Sequence, residues 1–325
     1  MEQGRVTVVK IIVANDPDEA LLKGLEMLEE YGEFETSRGG DVVVMPQPIT
    51  TIWEKGYSIV STNPIRDANP FFHFNEALWM LEGRNDVASL DVYIKDFGGR
   101  YAESDGVLHG AYGHRWINHF GVDQLQLIVE KLQSNPEDRQ CVLQMWDAHT
   151  DMGNDLDGMW KDRPCNTHVY FRVHARKELE MTVCCRSNDM IWGAYGANIV
   201  QFGVLHRYMA VRIGVEVGRY YQISNNFHAY LDVFVPLSLE IQKTGQPLPM
   251  VRIQEDPLFL PYKTFSLVGG GFRDDVPAYA LREKMNKIYD MYKARLDIPW
   301  QEFDPHESEW LQAAAWWVQR RRSLK

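Results

Sequence analysis

Cys165 is the side chain in this sequence whose type and surroundings best suit a nucleophile. It lies in RPCNT, after a loop of Gly, Asp and Trp and at the start of a β-rich run. The thiolate is the reactive form of cysteine, and cations such as Arg163 and Arg186 would stabilise it. A lone cysteine is nevertheless more often a small buried apolar residue. We expect that ordinary role for Cys184 and Cys185, which lie inside an apolar run.

A polar cluster, RSNDMIWGAYGAN, occupies residues 186–198 at a predicted junction between a strand and a helix. The first N–H groups of a helix have no backbone partners and favour anions. Arg186 and Ser187 at such a junction are therefore suited to hold a phosphate. The alternative is a turn that Ser187 or Asn188 caps without any ligand.

Glu76 is a candidate for proton transfer. It falls within FHFNEALWML, an apolar helical pattern, and close to Trp79. A carboxylate buried among aromatic residues must be paired, hydrogen-bonded or protonated. Such a group is a candidate general acid or base.

Four further polar residues lie at positions that admit two interpretations. SNNFHAY places His228 and Tyr230 two residues apart on a predicted strand, and hence on one face. These two residues bind a ligand, or else His228 is a hydrogen-bonded histidine of the core. Arg38 in SRGG and Arg139 in NPEDR lie in turns, where a side chain is usually exposed to solvent.

Alternating strands and helices must position these residues. Runs of β-branched residues predict the strands, whereas apolar residues at helical spacing predict the helices. The predicted strands cover residues 6–14, 41–45, 141–146, 167–175, 179–187 and 218–230, and the predicted helices cover residues 16–31, 72–81, 123–133, 198–213, 231–242, 277–295 and 305–322.

The composition limits the class of protein. The chain has 325 residues, of which 45% are hydrophobic and 24% charged, so disordered, collagen-like and small disulfide-rich proteins are excluded. The net charge of −11 argues against a surface that binds duplex DNA nonspecifically. A few placed arginines can still hold one phosphate, so a mononucleotide remains a possible substrate.

The sequence contains no pattern typical of a metal, redox or membrane protein. The four cysteines show neither CxxC spacing nor pairing with a histidine motif. The apolar stretch near the N-terminus is short, contains Lys10 and lacks a cleavage site, and no run approaches the roughly 18 apolar residues of a membrane span. We expect a cytoplasmic protein without a metal ion.

In chain order, eight segments between about residues 36 and 236 resemble the thymidylate synthase superfamily. They are ETSRGGDV, NEALWMLEG, HGAYGHRW, NPEDRQ, RPCNTHVYF, CCRSND, GAYGANIVQFGVLHRYMA and NNFHAYLD. The resemblance implies an α/β (α+β) fold with a mixed β-sheet flanked by helices, and a homodimer built back to back through a sheet. It also implies transfer of a one-carbon unit from methylenetetrahydrofolate to C5 of a pyrimidine nucleoside monophosphate.

The same resemblance implies a role for each matching residue. Cys165 would add to C6 of the pyrimidine, Glu76 would act as general acid and base near O4 or N4, and Tyr112 would relay a proton. The remaining residues would bind the substrates: Arg38, Arg139, Arg186 and Ser187 the phosphate, with Arg139 contributed by the partner subunit; Asn198 the base; His228 and Tyr230 the sugar; and Asp189 the pterin of the folate.

Several departures from the family pattern favour a hydroxymethyl product over a methyl product. Asn166, which we expect to be one of the catalytic residues, replaces the usual histidine after the nucleophile. Gln140 replaces an arginine, and KDFGGRYAES replaces a tryptophan-rich stretch. The segment between Asp189 and Asn198 is one residue longer, and WWVQRRRSLK does not resemble the apolar tail that closes a synthase site. Without that tail and the tryptophan, water can add to the activated one-carbon unit. RSNDMIWG also resembles the phage hydroxymethylases of the superfamily, so the cytoplasm expected for this protein would be the host's if a phage encodes it.

Three alternatives remain open. Asn198 favours dUMP, but a flipped amide would match dCMP. Thymidylate synthase, which methylates dUMP reductively, is the alternative activity. An inactive member that binds nucleotide or RNA is a further alternative, although the presence of both Cys165 and Glu76 argues against it.

The chain is expected to divide into a catalytic domain and an extension. Residues 1–245 are predicted to form the thymidylate synthase-like domain. Residues 246–325 are predicted to form a helical extension packed on that domain, and this extension could supply a substitute lid over the site.

Overall fold

A computed structural model describes residues 9–152, 161–244, 277–303 and 308–323. Its strands are β1 (Lys10–Ala14), β2 (Glu33–Ser37), β3 (Gly40–Val44), β4 (Ile49–Trp53), β5 (Val142–Gln144), β6 (Asn166–His174), β7 (Glu178–Cys185), β8 (Asn188–Asp189), β9 (Glu216–Ser224) and β10 (Phe227–Tyr230). Its α-helices are α1 (Pro17–Tyr31), α2 (Pro70–Leu81), α3 (Phe97–Tyr101), α4 (Tyr112–His114), α5 (Gln124–Ser134), α6 (Ala148–Met152), α7 (Ile199–Ile213), α8 (Leu231–Thr244), α9 (Pro277–Lys293) and α10 (Glu309–Ser323). Two π-helices cover Arg115–His119 and Met190–Asn198, and a 3₁₀-helix covers Trp300–Glu302.

Two sheets organise the described part of the chain. The larger sheet has the order β1-β4-β9-β7-β6-β5, and the smaller has the order β2-β3-β10-β8. Within the larger sheet, β1 and β4 are parallel, as are β7 and β9, whereas β4 and β9, β6 and β7, and β5 and β6 are antiparallel. Helices flank these mixed sheets, so the predicted mixed α/β fold is confirmed.

The predicted run of strand over residues 218–230 is in fact two strands in two different sheets. β9 ends at Ser224 in the larger sheet, and β10 begins at Phe227 in the smaller sheet. Between them Asn225 donates its N–H to Cys185, and Asn226 accepts from Asn188. These hydrogen bonds satisfy backbone N–H and C=O groups at the point where the chain passes from the larger sheet to the smaller sheet. No periodicity in the sequence marks that point.

The segment before α7 begins as a π-helix and not as a simple capped α-helix. Asp189 caps it by accepting the N–H of Trp192 at 2.6 Å, so the predicted capping by Ser187 or Asn188 is wrong. A π-helix takes up more residues per turn than an α-helix. This geometry suits a segment that is one residue longer than the family pattern.

Helix α2 crosses the centre of the fold and carries Glu76. Every one of its residues is buried, as its apolar composition on all faces predicts. Its first turn is capped by Asn69, which accepts from two backbone N–H groups. The helix packs between α7 and the C-terminal helices α9 and α10, where the rings of Phe74 and Trp310 lie 5.2 Å apart.

The C-terminal helices contact the side of α2 that faces away from α7. Asn286 on α9 accepts a hydrogen bond from Asn75, and Arg282 forms an ion pair with Glu82. None of the hydrogen bonds described for these helices joins them to Cys165. The predicted domain boundary at residue 245 falls at the start of residues 245–276, which lie outside the described residues. The division into two domains and the lid over the site therefore stay predictions. Among the described helices, none is both long enough and apolar enough to cross a bilayer.

Candidate active site

Cys165 and Arg186 lie side by side at the ends of two paired strands. β6 begins at Asn166, whose strand partner is Cys185 at the end of β7. Nη2 of Arg186 lies 3.8 Å from Sγ of Cys165, and Nε of Arg186 donates to the carbonyl oxygen of Pro164 at 2.9 Å. The hairpin of β6 and β7 thus brings together the predicted nucleophile and a predicted phosphate ligand that are 21 residues apart in the sequence.

The surroundings of Cys165 raise the pKa of its thiol. Burial raises its pKa, and the charge of Asp162 acts in the same direction, whereas Arg186 and Arg38 act to lower the pKa. Arg186 acts on the thiol as the sequence predicts, whereas the second cation is Arg38 and not the predicted Arg163. Desolvation outweighs the two cations, so the pKa of the thiol lies above its usual value in the protein without its substrates.

Glu76 is a buried carboxyl that titrates near neutral pH. Its side chain on α2 is 7% exposed and hydrogen-bonds the side chain of Gln201 on α7. Burial raises the pKa of Glu76 from 4.5 to about 7. Its Oε2 atom has no hydrogen-bond partner among the described residues, so it is available to a ligand. These properties suit a general acid and base.

Five side chains form a continuous hydrogen-bonded series through the centre of the site, which we call the amide relay. Nδ2 of Asn166 donates to the hydroxyl of Tyr112 at 2.9 Å and to Oδ1 of Asn198 at 3.1 Å. Nδ2 of Asn198 donates to Oδ1 of Asn188 at 3.0 Å. Nδ2 of Asn188 donates to Oγ of Ser224 at 2.9 Å. Three predicted site residues, Tyr112, Asn166 and Asn198, therefore belong to one network.

The smaller sheet gathers another group of predicted residues. His228 pairs with Asp189 in the parallel ladder of β10 and β8, and the rings of His228 and Tyr230 lie 5.5 Å apart. The turn between β2 and β3 packs on Tyr230, because a Cβ placed at Gly39 would lie only 2.5 Å from the Tyr230 hydroxyl oxygen. Arg38 in that turn is exposed and acts electrostatically on Cys165.

Asp189 presents one carboxylate oxygen without a partner. Oδ1 accepts from the N–H of Trp192, whereas Oδ2 is buried with no hydrogen-bond partner in the described ranges. Burial raises the pKa of Asp189, and the charge of His228 acts to lower it. Beside it, the Arg66 guanidinium covers the Trp192 ring at 4.2 Å and donates to the carbonyl oxygen of Ile191. The free oxygen is suited to accept an N–H group from a ligand.

Ser187 and Arg139 are less fully placed. Ser187 follows Arg186, and its hydroxyl makes none of the hydrogen bonds found in the described residues. Arg139 is exposed in the turn between α5 and β5, and its side chain takes part in none of the hydrogen bonds or ion pairs described. The charged groups that act on Cys165 are Arg186, Asp162 and Arg38, and Arg139 of the same subunit is not among them.

The sequence analysis missed three residues of the site. Gln201 follows Asn198 by three positions, so helical spacing could have placed both on one face. The polar cluster suggests Asn188 only as a cap, and no pattern in the sequence singles out Ser224. Their contact joins β8 to β9 across 36 residues, and no local pattern reveals it. Elsewhere in the described part of the chain, no group of three or more His, Cys, Asp or Glu residues is arranged to hold a metal ion.

Comparison with known proteins is consistent with this arrangement. The family model for thymidylate synthase matches residues 57–269. A deoxyuridylate hydroxymethyltransferase of Pseudomonas phage M6 is 46% identical over 228 residues, which cover 69% of this chain and 63% of the relative. The deoxyuridylate hydroxymethyltransferase of Bacillus phage SP01 is 41% identical over 191 residues, or 55% of this chain and 48% of the relative. A thymidylate synthase of Vesicomyosocius okutanii is 24% identical over 245 residues, which cover 72% of this chain and 87% of the relative.

The matched region is shorter than the phage relatives. It spans 63% of one relative's length and 48% of the other's. The resemblance predicted from the eight sequence segments is confirmed by the family match and by these relatives.

Proposed function

This chain belongs to the thymidylate synthase family, and we propose that it transfers a one-carbon unit from methylenetetrahydrofolate to C5 of dUMP, with a hydroxymethyl nucleotide as product. The observation that carries the reaction type is the position of Cys165 beside Arg186, combined with a buried carboxyl at Glu76 that titrates near neutral pH. The hydroxymethyl product is favoured because two relatives at 46% and 41% identity are deoxyuridylate hydroxymethyltransferases, whereas the thymidylate synthase is 24% identical.

Cys165 begins the proposed reaction. C5 of a pyrimidine is a weak nucleophile, and addition of the sulfur to C6 converts it into an enolate carbon. The thiol releases its proton to solvent as the S–C6 bond forms, and the electron pair of the C5–C6 double bond moves through C4 to O4. Glu76, protonated below about pH 7, would supply the hydrogen bond or proton at O4.

Methylenetetrahydrofolate supplies the one-carbon unit that C5 attacks. Loss of the C5 proton and of tetrahydrofolate leaves an exocyclic methylene, to which water adds. Expulsion of the Cys165 sulfur then restores the ring double bond and the free thiol. The sum consumes dUMP, methylenetetrahydrofolate and water, and yields the hydroxymethyl nucleotide and tetrahydrofolate.

The substrate contacts are also part of the proposal. Arg38, Arg186 and Ser187 would bind the phosphate, since arginine forms bidentate bonds with phosphate oxygens. Asn198 would bind the base, and the paired rings of His228 and Tyr230 would bind the sugar hydroxyl. The unpartnered Oδ2 of Asp189 would accept an N–H group of the pterin.

A homodimer would complete the phosphate site with Arg139 of the partner subunit. One face of the larger sheet supports it. Six residues, one on each strand, are register neighbours across this sheet, and none of them is buried. They are Val13, Ile52, Tyr221, Thr182, Tyr170 and Val142. Exposed apolar patches of this kind mark protein interfaces. The cytoplasmic location of the protein also stays a prediction.

Incubation with dUMP or dCMP and methylenetetrahydrofolate tests the proposal. We expect a hydroxymethyl nucleotide from dUMP, by mass, without an absorbance rise from dihydrofolate. Formation of dTMP with stoichiometric dihydrofolate would instead identify a thymidylate synthase. Nucleotide binding without any product would identify an inactive member of the family.

A further inference from the structure

Asn198 has its amide direction fixed from both sides. Its Oδ1 accepts from Asn166 at 3.1 Å, and its Nδ2 donates to Asn188 at 3.0 Å. Asn166, Asn188 and Asn198 are 0%, 2% and 6% exposed, so water has little access to these bonds. A Cβ placed at Gly193 would lie 2.8 Å from Oδ1 of Asn188 and 3.5 Å from Nδ2 of Asn198, so the backbone also closes this side of the relay.

We propose that the amide relay determines which pyrimidine the site accepts, and that Asn188 is the positioning residue that holds Asn198 in the direction that reads uracil. This inference rests on the proposed function, because it assumes that Asn198 faces the base. The inference gives Asn188 and Ser224 a role in substrate specificity. A residue that only caps a helix or fills the core would have no such role.

The direction of the relay decides what Asn198 offers to a ligand. After its two relay bonds, the Asn198 side chain retains one N–H donor and one oxygen lone pair. Uracil presents a donor at N3 and an acceptor at O4, whereas cytosine presents an acceptor at N3 and a donor at N4. The two bases therefore require opposite amide directions at the same position.

Asn198 cannot reverse alone. If only its amide flipped, its N–H group would face the N–H group of Asn166, and its oxygen would face the oxygen of Asn188. All three amides would have to reverse together, with Tyr112 and Ser224 exchanging donor and acceptor roles at the two ends. A hydroxyl can take either role, so the ends permit both directions, and the three coupled amides make the choice all-or-none.

Substitution of Asn188 tests its role directly. Asn188→Asp keeps an acceptor for Nδ2 of Asn198 and preserves the described direction. Asn188→Leu, of similar size, removes that acceptor. The direction of the Asn198 amide then depends on Asn166 alone, and the amides of Asn166 and Asn198 can flip together. Dissociation constants for dUMP, dCMP and deoxyribose 5-phosphate would be measured without folate. We expect the preference for dUMP to persist in Asn188→Asp and to fall about tenfold in Asn188→Leu, the usual effect of one hydrogen bond.

Asn166→Asp tests the opposite end of the relay. A carboxylate there accepts from Tyr112 and from Nδ2 of Asn198, so it reverses Asn198 and should shift the preference towards dCMP. Asn63→Asp is the matched control, because Asn63 is also buried and its Oδ1 accepts from backbone N–H groups, a role that a carboxylate keeps. The control should leave the ratio of the two dissociation constants unchanged.

The outcomes separate the two proposals. Unchanged binding of deoxyribose 5-phosphate would show that the phosphate site of each variant is intact. A wild-type ratio in Asn188→Leu, or shifts of the same sign in Asn188→Asp and Asn166→Asp, would overturn the relay and leave the proposed function standing. A wild-type protein that binds neither nucleotide would overturn the proposed function and the relay with it.

Discussion

The guanidinium of Arg186 lies with Nη2 3.8 Å from Sγ of Cys165 and is held there by the carbonyl oxygen of Pro164. One arginine can thus contact an anion and act on the nucleophile at the same time.

Substitution of Arg186 should remove both of these effects. We expect Arg186→Ala to lower kcat/KM for dUMP by about a hundredfold or more, because charge-assisted bonds to phosphate are strong and the thiol pKa would rise further. Steady-state kinetics would measure this, and Arg176→Ala, which removes an exposed ion pair with Glu137, should leave kcat/KM unchanged.

Removal of the nucleophile should separate chemistry from binding. We expect Cys165→Ala to abolish turnover while the dissociation constant for the nucleotide stays within about tenfold of wild type, because the phosphate and base contacts remain. Cys141→Ala is the matched control and should retain turnover, because Cys141 is a buried cysteine whose thiol contacts Asp138 and not Arg186. Turnover by Cys165→Ala would refute its assignment as the nucleophile.

Glu76 should make stability depend on pH in a defined direction. Its folded pKa of about 7 lies above the usual 4.5, so the folded state binds the extra proton. The free energy of unfolding therefore falls as pH rises from about 4.5 to 7, and the whole penalty, up to about 3 kcal/mol, is present above that range. Glu76→Gln removes this penalty. We expect the variant to gain stability over wild type as pH rises through this window, in denaturant titrations, and to lose at least about a hundredfold in kcat. A stability difference that does not change with pH would show that Glu76 does not titrate there.

Arg139 should act across the subunit interface. We expect Arg139→Ala and Cys165→Ala to be nearly inactive when each is alone. A mixture refolded together should recover about a quarter of wild-type activity, because half of the dimers are mixed and each mixed dimer holds one intact site. A mixture that recovers nothing would place Arg139 in the same subunit as the thiol or outside the site. Light scattering on the wild type should show a dimer.

Local patterns in the sequence predicted much of the fold. Helical spacing predicts a helix over residues 16–31, which matches α1, and the apolar pattern over residues 72–81 predicts the buried α2 and hence a buried Glu76. The hairpin of β6 and β7 follows from two β-rich runs around a short polar turn, and that hairpin is what brings Arg186 to Cys165.

The remaining features depend on contacts that no local pattern encodes. The raised pKa of Cys165 results from the balance of burial against two arginines, and the depth of burial is a property of the folded chain. The contact between Asn188 and Ser224 likewise exists only in the folded chain, where β9 of the larger sheet ends and β10 of the smaller sheet begins. The sequence therefore predicts Asn198 as a residue that binds the base, but it does not predict the residues that hydrogen-bond to Asn198.

The origin of the product's new oxygen atom tests the central claim most directly. The reaction would be run with dUMP and methylenetetrahydrofolate in water labelled with oxygen-18, and the nucleotide product would be analysed by mass spectrometry. If water captures the exocyclic methylene, the product carries a hydroxymethyl group with one oxygen-18 atom, and the folate leaves as tetrahydrofolate. A product with a methyl group and no label, formed together with dihydrofolate, would contradict hydroxymethyl transfer.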